Sequence, residues 1–414
     1  MCALALLGTS CSSPDEIEVG DNSINKINCV SQANRKLSES DALKIANKFL
    51  SKYNGTRYDN ADSASLDYVI NSNLVEISEN YKDTIAYVIN YKDDGGFVVL
   101  AADGRKQPIL AFSETGRFDK ENEICKANFL DKLPCFLSER RYLNRSPSIG
   151  AGDLESGEIV KPFIQIKLYL GLPWTKYILE NGIYVEEVIG NFVITAFLAV
   201  SHAKSNITYH GKTYPLSSII SSIKNGKPRN KTGNDIEEKI AENIGKHVSP
   251  PVFPQDSVVS DPIYRMPYET AVDYAAEMMN LIVDDCYDEL GMVGYKQYGR
   301  AVANFLVKHG YQVPSGSAQY DIVRIAQYLK SDHIICLIAS KNDVWYFWVA
   351  DGLKKIMITD NDNDSENYFI HCEWGNNGIC NGYYSGSVFS TVEGDLTVKE
   401  YIAVKLENKN MYIY

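Results

Sequence analysis

At 414 residues the chain is too long for one small domain and suits two or three, because single hydrophobic cores stop growing near about 250 to 300 residues. With 45% hydrophobic and 23% charged residues the composition is that of an ordinary folded protein, so neither disorder nor a fibre is expected. A formal net charge of -12 speaks against nucleic acid as a partner, since phosphate contacts need clustered Lys and Arg, and the lack of any apolar run of about 18 residues excludes a membrane-spanning helix within the folded part.

In chain order, "MCALALLGTSC" is a short apolar run ending in small residues at Cys11, and "SSPDEIEVGDNS" follows as an acidic tether. The run resembles a bacterial lipoprotein signal, although it lacks a basic start and carries Gly8 where such signals usually have Leu. The resemblance implies that residues 1–34 are signal and tether, and that Cys11 carries a lipid holding a secreted protein on the outer cell surface. That lipid would be the only contact with a membrane. Detergent phase partition should then place the wild type in the detergent phase and Cys11→Ala in the aqueous phase; a wild type that stays aqueous would remove the anchor.

From residue 38 the periodicity changes to that of a helix. Ala42, Leu43, Ile45, Ala46, Phe49 and Leu50 recur at helical spacing after Ser38, with Asp41 three residues on as a capping signal, which predicts a helix over 39–53. "DTIAYVINYK" and "GGFVVLAAD" flank Asp93-Asp94-Gly95-Gly96 and read as an antiparallel hairpin, with "PILAFS" as a further strand. A helical segment, "NEICKANFLDKLPCFLSERRYLN", runs into the aperiodic "RSPSIGAGDLESGE". Residues 146–159 are therefore expected to be an exposed connection between a first domain, 35–145, and a second, 160–414, each packed separately.

The second domain opens with helical patterns at "VITAFLAVSHA", "YETAVDYAAEMMNLIVDD", "YGRAVANFLVKHG" and "QYDIVRIAQYLKS". Strand patterns follow at "IICLIAS", "VWYFWVADG", "KKIMITD", "NYFIHCEWG" and "GYYSGSVFS". Helices first and a sheet after them predict an α+β fold. Nine cysteines without CxxC spacing argue against zinc. Asp360, Asp362 and Asp364 alternate as in calcium loops, but Ser365 stands at the glycine position and no Glu at the twelfth, so a solvated acidic turn is expected. No metal and no cofactor are predicted.

"ESDALKIANKFL" and "GGFVVLAADGRKQPILAFSETGRFD" resemble the propeptide, or related inhibitor domain, of the streptopain family of papain-like cysteine peptidases. In the second domain "LPWTKY", "VITAFLAV", "YGRAVANFLVKHGYQV", "VWYFWVADGL" and "FIHCEWGNNGICNGYY" resemble that family's segments in the family's order. The resemblance covers the chain from about residue 35 and implies a papain-like peptidase fold preceded by a smaller α+β propeptide-like domain. Its catalytic positions are changed. Thr195-Ala196 as the register places the nucleophile position at Phe192, and Gly190 as the register places it at Asn191. Counting back from Asp351-Gly352 puts the base position at Tyr346, a phenol with an ordinary pKa of about 10. The oxyanion position falls at Lys176, and the family's Asn-Trp pair falls at Glu373 and Trp374. A chain without thiolate, imidazole and oxyanion donor is expected to be catalytically inactive.

Substitute catalysts are not expected. His371 and Cys372 are strand neighbours and point to opposite faces, while Ser201 and His202 are helix neighbours that diverge by about 100°. His309 reads as a helix-end cation and His333 as a partly exposed loop residue. Trp174, Trp345, Tyr346, Trp348 and Trp374 form an aromatic frame near the family's cleft, read either as the lining for a protein or peptide ligand, a related peptidase among the candidates, or in part as plain core, since aromatic strand residues are usually packed. Two alternatives stand beside this reading: an active cysteine endopeptidase under another register, and a peptidase inhibitor acting through the propeptide-like domain.

Overall fold

Ser38 starts the first helix as its spacing predicts. Its Oγ accepts from the Asp41 N–H at 3.2 Å and donates to Asp41 Oδ2 at 2.8 Å, and α1 spans Glu39–Asn54. The computed structural model describes residues 37–54, 64–71, 84–102, 109–138, 155–168, 173–180, 187–225, 266–293, 298–341, 344–360, 363–389 and 397–407. Cys11 and the tether to residue 34 lie outside them. Ala42, Ala46, Phe49 and Leu50 form the buried stripe of α1 and pack on a meander of β1 (Ala64–Asn71), β2 (Thr84–Tyr91), β3 (Phe97–Ala101) and β4 (Ile109–Ser113). The β2–β3 turn places Asp93, Asp94 and Gly96 at φ of 56°, 52° and 113°. A Cβ at Gly96 would run into the Ser113 carbonyl, so only glycine fits.

The predicted helix after β4 is broken in two. Asn122 caps α2 (Glu123–Asn128) by accepting from the Cys125 N–H, and Phe129, at φ −122° and ψ −61°, leaves the helical region. A 3-10 turn, Leu130–Lys132, leads to α3 (Leu133–Ser138), whose Pro134 sits in the first turn, where its missing N–H costs nothing. Of the expected connection, residues 146–154 lie outside the described residues, and Glu155–Val160 form strand β5. The reason is non-local: β10 (Val344–Asp360) pairs with β9 (His333–Lys341) only over Val344–Ala350, and β5 fills the same edge from Leu353 to Met357. Predicted as two strands, β10 is one, running through Gly352 with a register shift between Ala350 and Gly352.

After β5 come α4 (Lys176–Glu180), α5 (Glu187–Ala203), the hairpin β6 (Ile207–Tyr209) and β7 (Lys212–Tyr214), α6 (Leu216–Asn225), α7 (Tyr268–Val293) and α8 (Tyr298–Lys308). β8 (Ala318–Gln319), α9 (Ile322–Lys330), β9 and β10 follow, then β11 (Asn363–Glu373), β12 (Gly382–Ser385), α10 (Gly386–Phe389) and β13 (Thr397–Lys405). Asp364 and Ser365 of the predicted acidic turn belong to β11, paired with Thr359 and Ile358. Helices and an antiparallel sheet make the fold α+β.

The main sheet runs in the order β1-β2-β3-β4-β12-β11-β10-β9-β13-β8, with β5 on β10. It crosses from the first part of the chain to the second through Phe112↔Tyr383 and Ala111↔Tyr384, so the two parts share one sheet instead of packing apart. Residues 35–414 form one compact unit. On one face, α5 to α8 bury Phe192, Phe197, Ile282 and Leu306 against Ile338, Phe347, Val349 and Ile402, while α1 covers Tyr87, Val98, Phe112, Phe369 and Tyr383 farther along. The opposite face carries a core common to both parts: Val88, Phe97 and Val99 with Leu337, Trp348, Trp374 and Tyr384, roofed by Phe129, Leu133, Ile325 and Phe389.

Candidate functional site

Between the two apolar clusters of the first face, β10 and β11 carry polar side chains. Asp351 sits at the register shift of β10, the kind of irregularity that re-aims a side chain. It is fully buried, and its Oδ2 accepts from the N–H groups of Phe163 at 2.9 Å and Ile164 at 2.7 Å. Its Oδ1 lies 2.6 Å from His371 Nδ1, which fixes the tautomer with a proton on that nitrogen. Gly352 permits the approach, because a Cβ there would stand 2.9 Å from His371 Cβ and 3.0 Å from Pro162 Cγ. Burial pulls the His371 pKa down, but the Asp351 carboxylate outweighs it and the net shift is upward.

Glu373, two residues along the same strand face, is 4% exposed. Burial pushes its pKa up to about 8, so the carboxyl is mostly neutral at pH 7, and Asn381 Nδ2 donates to its Oε1. Lys354 stands on the far side of His371; its Nζ is 2.8 Å from Glu114 Oε1 and 4.4 Å from the Tyr383 ring centroid. The Tyr383 ring lies 5.2 Å from that of His371. His202, at the end of α5, faces Phe163 at 6.0 Å, and burial lowers its pKa to about 4, so it stays neutral. Both shifts run upward, so the cluster favours the protonated forms of His371 and Glu373.

The family-derived positions do not converge on this cluster. Phe192 is buried with its ring 5.5 Å from Phe347 in a T-shaped contact. Tyr346, one residue away on a strand of period two, packs on the opposite face with the Trp348 cluster. Asn191 lies in α5, its side chain outside the described residues. Lys176 is engaged in an ion pair with Asp273 of α7 and lies 4.6 Å over the Tyr177 ring. Of the expected set only Glu373 reaches the polar cluster; Trp374 is on the other face, stacked on Trp348 at 5.2 Å, with Nε1 donating to the Cys380 carbonyl at 3.1 Å.

Three members of the aromatic frame follow its core reading. Trp174, Trp348 and Trp374 are 3%, 0% and 0% exposed and belong to two cores, because broad aromatic faces on paired strands are buried by the helices that roof them. His333 is corrected: it opens β9, is buried, and its Nδ1 lies 3.1 Å from the Tyr328 carbonyl. Ser201 and His202 do touch, Oγ to Nδ1 at 3.2 Å, but Nδ1 is held at 2.9 Å by the Leu198 carbonyl and must carry the hydrogen, so it cannot take one from serine. Cys372 and His371 lie on opposite faces as the strand period predicts. His309 follows α8 with Nε2 at 2.9 Å from Asp285. Sequence reasoning misses the Asp351 and His371 pair. Its signal is an Asp inside the apolar "VWYFWVADGL", which must find a partner when buried.

Residues 34–133 match the family described as Spi protease inhibitor. No curated protein matches the chain. Among solved structures, a prointerpain A fragment from Prevotella intermedia is similar at 13% identity, covering 82% of this chain and 98% of that one with a TM-score of 0.43.

Proposed function

We propose that this protein works by binding a protein partner, a cysteine peptidase in the first instance, and hydrolyses no peptide bond itself. One observation carries the reading: Cys336 and Cys372 of the sheet, and Cys125 on α2 in the same core, are fully buried, and burial raises their thiols. Cys336 is pushed up to about 12, and Cys372 and Cys125 are raised well above the ordinary range, the reverse of what a thiolate nucleophile requires. The resemblance to papain-like peptidases supports the same reading, since the nucleophile position it implies is Phe192, which lies in a core, or Asn191, neither of which offers a thiol, and the base position it implies is Tyr346, a phenol. Without nucleophile and base, only a residual factor of about 10³ to 10⁴ over water is within reach of binding and oxyanion donors.

Purified full-length protein is expected to leave unstructured peptide substrates intact, and Phe192→Cys is expected to add no activity, because the new thiol would face the position of Phe347. Activity sensitive to thiol reagents that vanishes with a single Cys→Ala change would overturn the proposal. A second reading, inhibition of a streptopain-type peptidase, is favoured by the match of residues 34–133. Full-length protein titrated into such a peptidase should lower its rate; an unchanged rate at excess protein would remove this reading. The outer-surface, lipid-anchored location belongs to the same proposal.

A further inference from the structure

Two thiols far apart in sequence meet beneath the roof of the shared core. Cys125 lies on α2, inside the segment that matches the inhibitor family, and Cys380 lies in the turn between β11 and β12. Both are 0% exposed. Cys380 is tied to the first part of the chain at three points: its N–H donates to the Arg117 carbonyl at 3.1 Å, its Sγ accepts from the Asp119 N–H at 3.1 Å, and its thiol donates to the Asp119 carbonyl at 3.3 Å. The Asn122 N–H donates to the same Asp119 carbonyl at 3.2 Å, and Asn122 Oδ1 accepts from the Cys125 N–H at 2.9 Å. Tyr384 Oη touches both cysteines, 2.5 Å from the Cys380 carbonyl and 3.5 Å from Cys125 Sγ. Both cysteines carry free thiols in this structure. Cys380 holds a left-handed φ of 64°, an unfavourable conformation for a residue other than glycine, which its N–H bond to Arg117 and the Asp119 N–H bond to its sulfur secure whether or not the thiol keeps its hydrogen.

We infer that Cys125 and Cys380 are partners in a disulfide that closes as the chain folds in an oxidising compartment, tying the inhibitor-like segment covalently to the rest of the sheet. The oxidant is a low-molecular-weight disulfide such as glutathione disulfide. One protein thiol loses its proton and attacks a sulfur of that disulfide, releasing one glutathione thiolate that takes up the proton. The second protein thiol, deprotonated in turn, attacks the mixed disulfide and releases the other glutathione. Two protein thiols are oxidised to one S–S bond and one glutathione disulfide is reduced to two thiols. Burial, and then the neighbouring Cys380, raise the Cys125 thiol well above its ordinary range, so the folded dithiol is a poor nucleophile and closure belongs to folding.

The test refolds reduced full-length protein in a buffer of glutathione and glutathione disulfide, alkylates free thiols under denaturing conditions, and maps a non-reducing digest. The expected result is one peptide joining Cys125 to Cys380 and a loss of two alkylatable thiols. Already folded, reduced protein in the same buffer should form that peptide at least about tenfold more slowly, as the smaller thiolate fraction requires. In Cys380→Ser, Cys125 should remain alkylatable; the wild-type digest decides the matter if that variant fails to fold. Full alkylation of both cysteines in the refolded wild type, or either one joined to a different cysteine, would overturn the inference.

Discussion

Replacing Trp374 by alanine is expected to lower the free energy of unfolding by about 3 to 5 kcal/mol, the range for removing a large aromatic from a core. The indole is 0% exposed, stacks on Trp348, meets Tyr384 edge-on at 5.1 Å and donates to the Cys380 carbonyl. Alanine would leave a cavity between the two parts of the chain and strip that carbonyl of a donor, and the cost of both adds to the lost burial. Urea denaturation followed by circular dichroism would measure it. Tyr346→Ala, at a half-buried position of the same face, should cost less. A Trp374→Ala protein within about 1 kcal/mol of the wild type would mean that the indole is a ligand-facing group after all, since core truncations of this size do not come so cheaply.

The stability contributed by Glu373 is expected to fall as pH rises from about 4.5 to about 8, and Glu373→Gln is expected to remove the Glu373 part of the profile. Below about 6.5 that fall is offset by His202, whose lowered pKa works in the opposite direction. Glu373 has its folded pKa raised from 4.5 to about 8, so folding takes up a proton in this window. The stabilisation is complete below the unfolded value and is lost as pH climbs through the folded one, at about 1.4 kcal/mol for each pH unit between the two, a few kcal/mol in all. His371 acts in the same direction, because its raised pKa gives stability that is present below 6.5 and lost as the imidazolium deprotonates. Glutamine keeps an oxygen for the Asn381 amide and has no charge to bury. Above pH 8 the variant should therefore be the more stable protein, and the slope that remains belongs to the other shifted groups, His371 in one direction and His202 and Lys132 in the other. Denaturation midpoints collected from pH 5 to pH 9 would show it; parallel profiles for the two proteins would mean that Glu373 ionises at an ordinary value.

What was legible in the sequence is what a few neighbouring residues decide. Ser38 and Asp41 announce α1, and the apolar alternation of "TIAYVINY" and "FVVLA" announces the hairpin, because capping and pleating are local. The break at Phe129 is less visible, since "NEICKANFLDKLPCFL" keeps a helical pattern on both sides of it. β5 has no apolar pattern at all and owes its existence to the edge that β9 leaves open on β10. The Asp351 and His371 pair depends on the register between β10 and β11, which no single segment states. Motif matching placed Phe192 and Tyr346 in one site, and strand parity places them on opposite faces.

The join between β4 and β12 has a consequence for how such chains diverge. Tyr383 and Tyr384 of the second part pair with Phe112 and Ala111 of the first, and one face of the sheet is a core to which both parts contribute. A chimera that exchanges residues 35–138 for those of a distant homologue would bring in new side chains opposite Tyr384, Trp374 and Phe389 without their matching surface, leaving overpacked and empty places in the same layer. A change in Phe97, Phe118 or Phe129 is therefore expected to need a compensating change more than two hundred residues away, because the two parts pack as a single unit.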